Sequence, residues 1–244
     1  MGPWPPNTFL GALSPATREK MLTLGTPVQV SSGQMLILEG ERRNRDVFLI
    51  THGYVKVVSN SEDGKVVLLA IRADGDIVGE LAALDGGPRL ASVVTVGSCF
   101  VRKIGQAEFR DFLRRHPDAA LAANVIVSAK LRLSTWYRVE FGTSAVPVRV
   151  ARTLLYLATR YGEPTPDGVL IGSLTQPELA AMIGSREATV YKILKALRTD
   201  NVIETKYGRI LIRDRAALCA KAGISGIPPE YGVWPGQAPQ SDEH

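Results

Sequence analysis

The amino-acid sequence predicts an α+β fold in three successive parts: an N-terminal antiparallel, jelly-roll-like β-domain, one long helix, and a C-terminal winged helix-turn-helix. Three observations carry that expectation. Short runs rich in Val, Ile and Leu recur between glycine-bearing turns from residue 27 to 105. Over 117–141 the apolar residues instead recur at alternating steps of four and three. Finally, a pair of helical patterns with its own start and turn signals leads into two short strands near the end of the chain.

The elements follow in order. Beyond the proline-rich MGPWPP, a short helix is expected from Ser14 to Leu24. The strands TPVQV, MLILE, DVFLI, YVKVV, VVLLAI, SVVTV and CFVRKI come next, broken at SSG, GERRNR, HG, NSEDGK, ADGD and LDGGPR. Many short strands at this spacing argue for a sandwich or barrel, with Gly33, Gly40, Gly53, Gly64, Gly75 and Gly79 where tight turns need positive φ. From Gln106 the pattern is helical, and Ala122, Ile126, Ala129, Leu133 and Trp136 form a narrow coiled-coil seam. That seam either packs on the strand domain or, as the break at GTSAVP favours, pairs with a second copy about a two-fold axis. VRVARTLLYLATRYG reads as a helix ending at Gly162, and EPTPDG as a loop. The expected boundaries are 1–116 for the β-domain, 117–146 for the dimerisation helix and hinge, 147–225 for the winged helix-turn-helix, and 226–244 for a disordered Pro-, Gly- and Gln-rich end.

Composition narrows the function. With 244 residues and 45% hydrophobic content the chain can bury a real core, yet its apolar runs are far short of a bilayer span, and no signal-peptide pattern is present. A cytoplasmic protein without membrane contact is expected. Cys99 and Cys219 lack metal-type spacing and read as reduced structural thiols; neither metal nor haem is expected, with His52 and His116 read as surface residues. No nucleophile elbow, P-loop, zincin motif or carboxylate dyad appears, so the expectation is a protein that is not an enzyme.

Charge is the sharper guide. The net charge is +5, and Ser185–Arg213 alone holds seven basic residues against three acidic ones, a local footprint for a polyanion. In LTQPELAAMIGSREATVYKILKALRTD, Thr175 is a natural N-cap with Glu178 completing a capping box, so a helix starts at Gln176. Leu179, Ile183, Val190, Ile193, Leu194 and Leu197 are spaced to pack two helices together, with Gly184 at the turn. This leaves Glu187, Ala188, Thr189, Tyr191, Lys192 and Lys195 on the outward side of the second helix, a mixture able to donate to and accept from base edges in a major groove. VIETKYGRILI adds a β-wing with Lys206 and Arg209 near its tip. Double-stranded DNA is the expected partner, with Thr175, Gln176, Ser185, Arg186, Glu187, Thr189, Tyr191, Lys192, Lys195, Lys206 and Arg209 as candidate contacts.

One stretch remains. GELAALDGGPRLASV places Glu80 and Arg89 in an apolar, glycine-rich segment, suited either to a structural salt bridge or to a small bound anion. A β-rich front, a long helix and a winged helix-turn-helix in this order resemble the CRP/FNR family of bacterial transcription regulators over about residues 20 to 215. The motifs are Gly33 to Gly40 with Glu39, GDIVGELAALDGG from Gly75, RVARTLLYLA from Arg149, and the helix-turn-helix segment itself. The resemblance implies a cyclic-nucleotide-binding β-roll. It makes Gly79, Glu80, Leu81, Arg89, Leu90 and Ala91 a phosphate cassette in which Glu80 accepts from a ribose hydroxyl and Arg89 pairs with the cyclic phosphate. Such a pair would be poorly neutralised without ligand.

The resemblance further implies that Ser134 and Thr135 touch the base, against the alternative of ordinary exposed helix positions. It also implies a homodimer on a pseudo-palindromic operator, contact with RNA polymerase, and cyclic AMP ahead of cyclic GMP as effector. Two departures stand out. Leu90 occupies the place of a cassette Ser or Thr, removing a hydroxyl donor worth roughly 1.5 to 3 kcal/mol. The run R-E-A-T-V replaces R-E-T-V, setting Glu187 and Ala188 where arginine and glutamate usually read bases, while Lys192 matches a basic reading position. The rivals are the same DNA-binding regulator with no ligand or a different one, and a cyclic-nucleotide-responsive scaffold whose C-terminal part binds protein.

Overall fold

The computed structural model describes residues 4–5, 7–60, 66–172, 174–206 and 208–225. The expected disordered end at 226–244, the turn glycine Gly64 and the wing-turn residue Tyr207 lie outside them. The chain divides into two compact units between Leu133 and Ser134, inside the long helix.

The first unit opens with two short helices, α1 (Phe9–Ala12) and α2 (Pro15–Thr23), the second N-capped by the Ser14 hydroxyl, which accepts from Thr17 N. Strands β1 (Thr26–Val30), β2 (Met35–Ile37), β3 (Val47–Asn60), β4 (Val66–Arg72) and β5 (Ile77–Val78) follow, then α3 (Glu80–Asp85) and β6 (Ser92–Ile104). All pairings are antiparallel: β1-β6-β3-β4 form the main path, with β2 on β6 and β5 on β3. Two expected breaks are absorbed into longer strands. The HG step at His52-Gly53 is a bulged stretch of β3, where the pairing to β6 shifts register on either side of His52, and SVVTV and CFVRKI join as β6. A bulge takes up the extra residue without ending the ladder, so a glycine inside a strand pattern can mark a bend instead of a turn.

Two cores explain the burial. Val30, Phe48, Ile50, Val55, Val93 and Val101 fill one side of the sheet. On the other, Val47, Leu49, Ile77 and Ile104 pack against α1, α4 (Gln106–Arg115) and the first half of α5 (Pro117–Thr143). Adjacent β3 residues thus point to opposite buried faces, which is why DVFLI reads as a continuous apolar run.

Helix α5 corrects the expected seam. Ala122 and Ile126 are buried in the core of their own unit together with Ala119 and Ala123, and Ala129, Leu133 and Trp136 are half-buried. Among the described side chains of α5, the exposed large apolar ones are Leu121, Val125, Leu131 and Val139. A 3.5-residue spacing recurs along more than one line of a helix, and Ala122 with Ile126 went into the tight gap over the sheet while Leu121 and Val125, one position earlier, stayed outside.

The second unit holds α6 (Val146–Tyr161), which ends at Gly162. The expected loop at 163–168 is largely a hairpin, β7 (Glu163–Thr165) and β8 (Gly168–Ile171). Then come α7 (Gln176–Met182), α8 (Glu187–Thr199), β9 (Ile203–Lys206), β10 (Arg209–Ile212) and α9 (Arg215–Lys221). The four strands form one antiparallel sheet in the order β7-β8-β10-β9.

Candidate effector pocket and nucleic-acid interface

The cassette is built where β5 ends. Gly79 (φ 85°) swings the chain from β5 into α3, and only glycine fits there: a Cβ would lie 2.6 Å from Arg89 Nη1 and 2.8 Å from the Asp46 carbonyl oxygen. Glu80 then opens α3 at 2% exposure, and Arg89 returns beneath it at 4%. The two do not pair. Arg89 Nη1 donates to the Gly79 carbonyl (2.9 Å) and Nη2 to the Asp46 carbonyl (2.7 Å), while the Asp46 carboxylate is taken by Lys103 (3.2 Å).

Glu80 is held by Lys130 of α5, whose Nζ donates to Glu80 Oε1 (2.8 Å) and to the Ile77 carbonyl (3.1 Å). The expectation that the cassette charges go poorly neutralised without ligand is therefore corrected for Glu80, whereas Arg89 meets only neutral carbonyls. A bare buried carboxylate costs several kcal/mol, and the packing of Ile126 on the core brings Lys130, one turn further along, to α3.

These side chains share a cavity of about 120 Å3 with apolar walls from Ile37, Val57 and Val93. Its polar side consists of Arg72, Glu80, Arg89 and Lys130. Burial lowers the pKa of the Arg89 guanidinium, an effect opposed by Asp46, Glu80 and Glu41, and an arginine remains charged under such conditions. Its two terminal nitrogens donate to neutral carbonyls, so this buried cation keeps its charge uncancelled by any direct carboxylate bond, and its remaining N–H groups are donors of the kind that pair with anions.

Leu81 and Ala91 also line the cavity, and Leu90 stands at its mouth with 68% exposure, so its side chain does not plug the site. Ser92 does not replace the missing hydroxyl of position 90: it is buried, and its Oγ accepts from Glu39 N (3.0 Å). Arg72 and Lys130 were absent from the expected site. Both left a trace in the sequence, since Arg72 lies two residues beyond Ala70 on the same face of β4, opposite Val55 and Val57, and Lys130 lies four residues beyond Ile126. Ser134 and Thr135 are exposed on α5, beyond the division between the units.

The second unit supplies a different surface. Thr175 N donates to Glu178 Oε2 (2.9 Å) and Glu178 N to Thr175 Oγ1 (3.4 Å), the full capping box; the Thr175 hydroxyl also donates to Glu178 (2.7 Å) and is thus engaged in the cap. Gln176 begins α7, and Ser185 and Arg186 lead into α8 after the turn at Gly184. Val190, Leu194 and Leu197 are buried, which turns Glu187, Ala188, Tyr191, Lys192 and Lys195 outward and leaves Thr189 half-buried at the edge. Lys206 and Arg209 face each other across the wing and are exposed.

Arg213 is neutralised by Glu204 (2.6 Å), whose hydrogen bond raises the arginine pKa. By contrast, Arg186, Lys192, Lys195, Lys206 and Arg209 have no carboxylate partner among the described residues. Unpaired surface cations of this kind neutralise phosphates.

A cavity lined by buried charged side chains in one unit and a winged helix-turn-helix with unpaired basic side chains in the other fit the class of DNA-binding regulators. Comparison with known proteins gives that class its family. Residues 27–116 match the cyclic nucleotide-binding domain and residues 148–221 the Crp-like helix-turn-helix domain. The chain is 30% identical over 183 residues to the cAMP-activated global transcriptional regulator CRP of Escherichia coli O6:H1, covering 74% of this chain and 86% of that one. It is 29% identical over 197 residues to a CRP-like cAMP-activated global transcriptional regulator of Mycobacterium tuberculosis (80% and 88%). A crystal structure of a CRP-family transcriptional regulator from Thermus thermophilus shares the fold with a TM-score of 0.67 at 24% identity, over 82% of this chain and all of that one. The chain belongs to the CRP/FNR family: it is a CRP-like transcription regulator with a cyclic nucleotide-binding domain and a DNA-binding helix-turn-helix domain. No helix among the described residues is long and apolar enough to cross a membrane.

Proposed function

We propose that this chain is a homodimeric cytoplasmic regulator whose affinity for a pseudo-palindromic operator is set by a cyclic nucleotide, cyclic AMP ahead of cyclic GMP, bound at Gly79–Ala91. The observation that carries the reading is Arg89, a buried cation held open by the Gly79 and Asp46 carbonyls beside the acceptor Glu80. Its guanidinium would pair with the cyclic phosphate while Glu80 accepts from the ribose hydroxyl. The E. coli and M. tuberculosis relatives are cAMP-activated, which supports the nucleotide named.

Lys130 ties Glu80 to α5, so a ligand hydroxyl competing for Glu80 acts on the helix directly. Ser134 and Thr135 lie four and five residues beyond Lys130 on that helix and are proposed to contact the base. The exposed line of Leu121, Val125, Leu131 and Val139 is the proposed dimer face, in place of the seam expected from the sequence. Two recognition helices related by that axis fit half-sites about 10 base pairs apart, with RNA polymerase as the downstream partner.

A second reading is favoured by Leu90. Its lack of a hydroxyl suits a regulator that keeps DNA binding and takes another ligand or none. Calorimetric titration separates the two. A saturable heat with cyclic AMP or cyclic GMP is expected, and no heat at millimolar concentration of either contradicts the nucleotide-controlled form.

A further inference from the structure

The outward face of α8 carries one large apolar group among its charges. Tyr191 is 48% exposed and lies between Glu187 and Lys195, within the line of side chains turned away from the core. Arg198, seven residues further on, comes back onto the same face, since seven residues is nearly two full turns. Its guanidinium lies over the Tyr191 ring, 5.8 Å from the centroid. The same group is anchored at its other end, where Nη1 donates to Thr205 Oγ1 (2.7 Å) on wing strand β9. Helix, aromatic ring and wing are thus joined through a single planar cation. The Tyr191 hydroxyl has no hydrogen-bond partner among the described residues, so the Arg198 stack is the one directional contact the ring makes there.

We propose that Arg198 is a positioning residue that holds Tyr191 as a reader of a thymine 5-methyl group in each half-site. A large exposed aromatic on a groove-facing helix costs solvation, and a free ring would lose rotamer freedom on binding DNA. Stacking by Arg198 removes part of that freedom beforehand and covers one face of the ring. The other face and the edge then meet the groove, where the thymine methyl is the apolar feature of a base pair. Arginine suits the role because its planar fork stacks and donates at once, which a lysine ammonium does not do. The inference rests on the DNA-binding reading of α8 and adds a residue, Arg198, and a base feature that this reading does not specify.

The test uses the full-length protein and an operator duplex selected from a randomised pool, followed by replacement of each thymine with deoxyuridine, which removes only the methyl. Wild type is expected to lose about fourfold affinity per half-site at one thymine, the worth of one buried carbon. Tyr191→Phe keeps that sensitivity and Tyr191→Ala loses it. Arg198→Ala drops it below about twofold while the protein still melts cooperatively and its salt slope stays within error, and Arg198→Lys does not restore it. Equal weakening of every duplex by Arg198→Ala with a shallower salt slope would make Arg198 a phosphate contact and overturn the inference, as would unchanged methyl sensitivity in that variant. Selective wild-type binding with no methyl-sensitive thymine overturns the inference alone. No selective binding by wild type overturns the DNA-binding reading and the inference with it.

Discussion

The two units use charge in opposite ways. In the β-roll, Glu80 and Arg89 are almost fully buried, and each is held by fixed partners: Lys130 and main-chain carbonyls. On α8 and the wing, Lys192, Lys195, Lys206 and Arg209 are exposed and have no carboxylate partner among the described residues. A buried, geometrically fixed cation recognises one small anion and is little screened by salt. Exposed cations attract any polyanion, at long range, and their effect falls steeply as salt rises. The same residue types are therefore suited to selectivity in one unit and to capture in the other, and the difference is burial.

The contrast can be broken by substitution, and the largest effect is expected at Arg89. Arg89→Ala removes the anion's charge-assisted partner and should lower cyclic-nucleotide affinity by roughly 3 kcal/mol or more, over a hundredfold, in calorimetry. Salt-dependent retention on nonspecific duplex should stay as in wild type. Lys130→Met comes next. It strands Glu80 in a buried site, and chemical denaturation should show a loss of about 3 kcal/mol, whereas the double variant with Glu80→Gln recovers most of it.

Leu90→Ser restores the hydroxyl at the cavity mouth and should tighten cyclic-nucleotide binding by about 1.5 to 3 kcal/mol. If affinity is unchanged, the exposed position of Leu90 contributes nothing to ligand contact. The smallest change is expected at the DNA face. Lys192→Ala and Lys195→Ala should each reduce the slope of log affinity against log salt by about 0.9 for every phosphate left without its cation, with no change in nucleotide heat.

Much of the fold was legible in the sequence because local signals and burial agreed there. Thr175 and Glu178 form the capping box that their spacing requires, and Gly184 turns the chain between α7 and α8. Where local signals were ambiguous, packing decided. His52-Gly53 carries turn chemistry, yet β6 runs past it and keeps the ladder intact as a bulge. EPTPDG looks like a loop until β10 offers β8 an edge to pair with. The seam on α5 departs at its first two positions for a related reason: periodicity gives a helix its stripes but not which stripe meets the sheet, and Ala122 and Ile126 went inward.

The pocket was half legible. Glu80 and Arg89 stood out as charges in an apolar segment, but their partners are distant in the chain. Lys130 is 50 residues from Glu80, and the Asp46 carbonyl is 43 from Arg89. A main-chain acceptor leaves no local mark in a sequence, and Lys130 left only its four-residue spacing from Ile126.

Ligand at Arg89 is proposed to control DNA affinity in the other unit. Fluorescence anisotropy of a labelled operator duplex, selected from a randomised pool, tests it most directly when titrated with the protein with and without saturating cyclic AMP. The account predicts at least tenfold tighter binding with nucleotide for wild type and identical curves for Arg89→Ala. Superimposable wild-type curves, at nucleotide concentrations shown by calorimetry to fill the pocket, would contradict it.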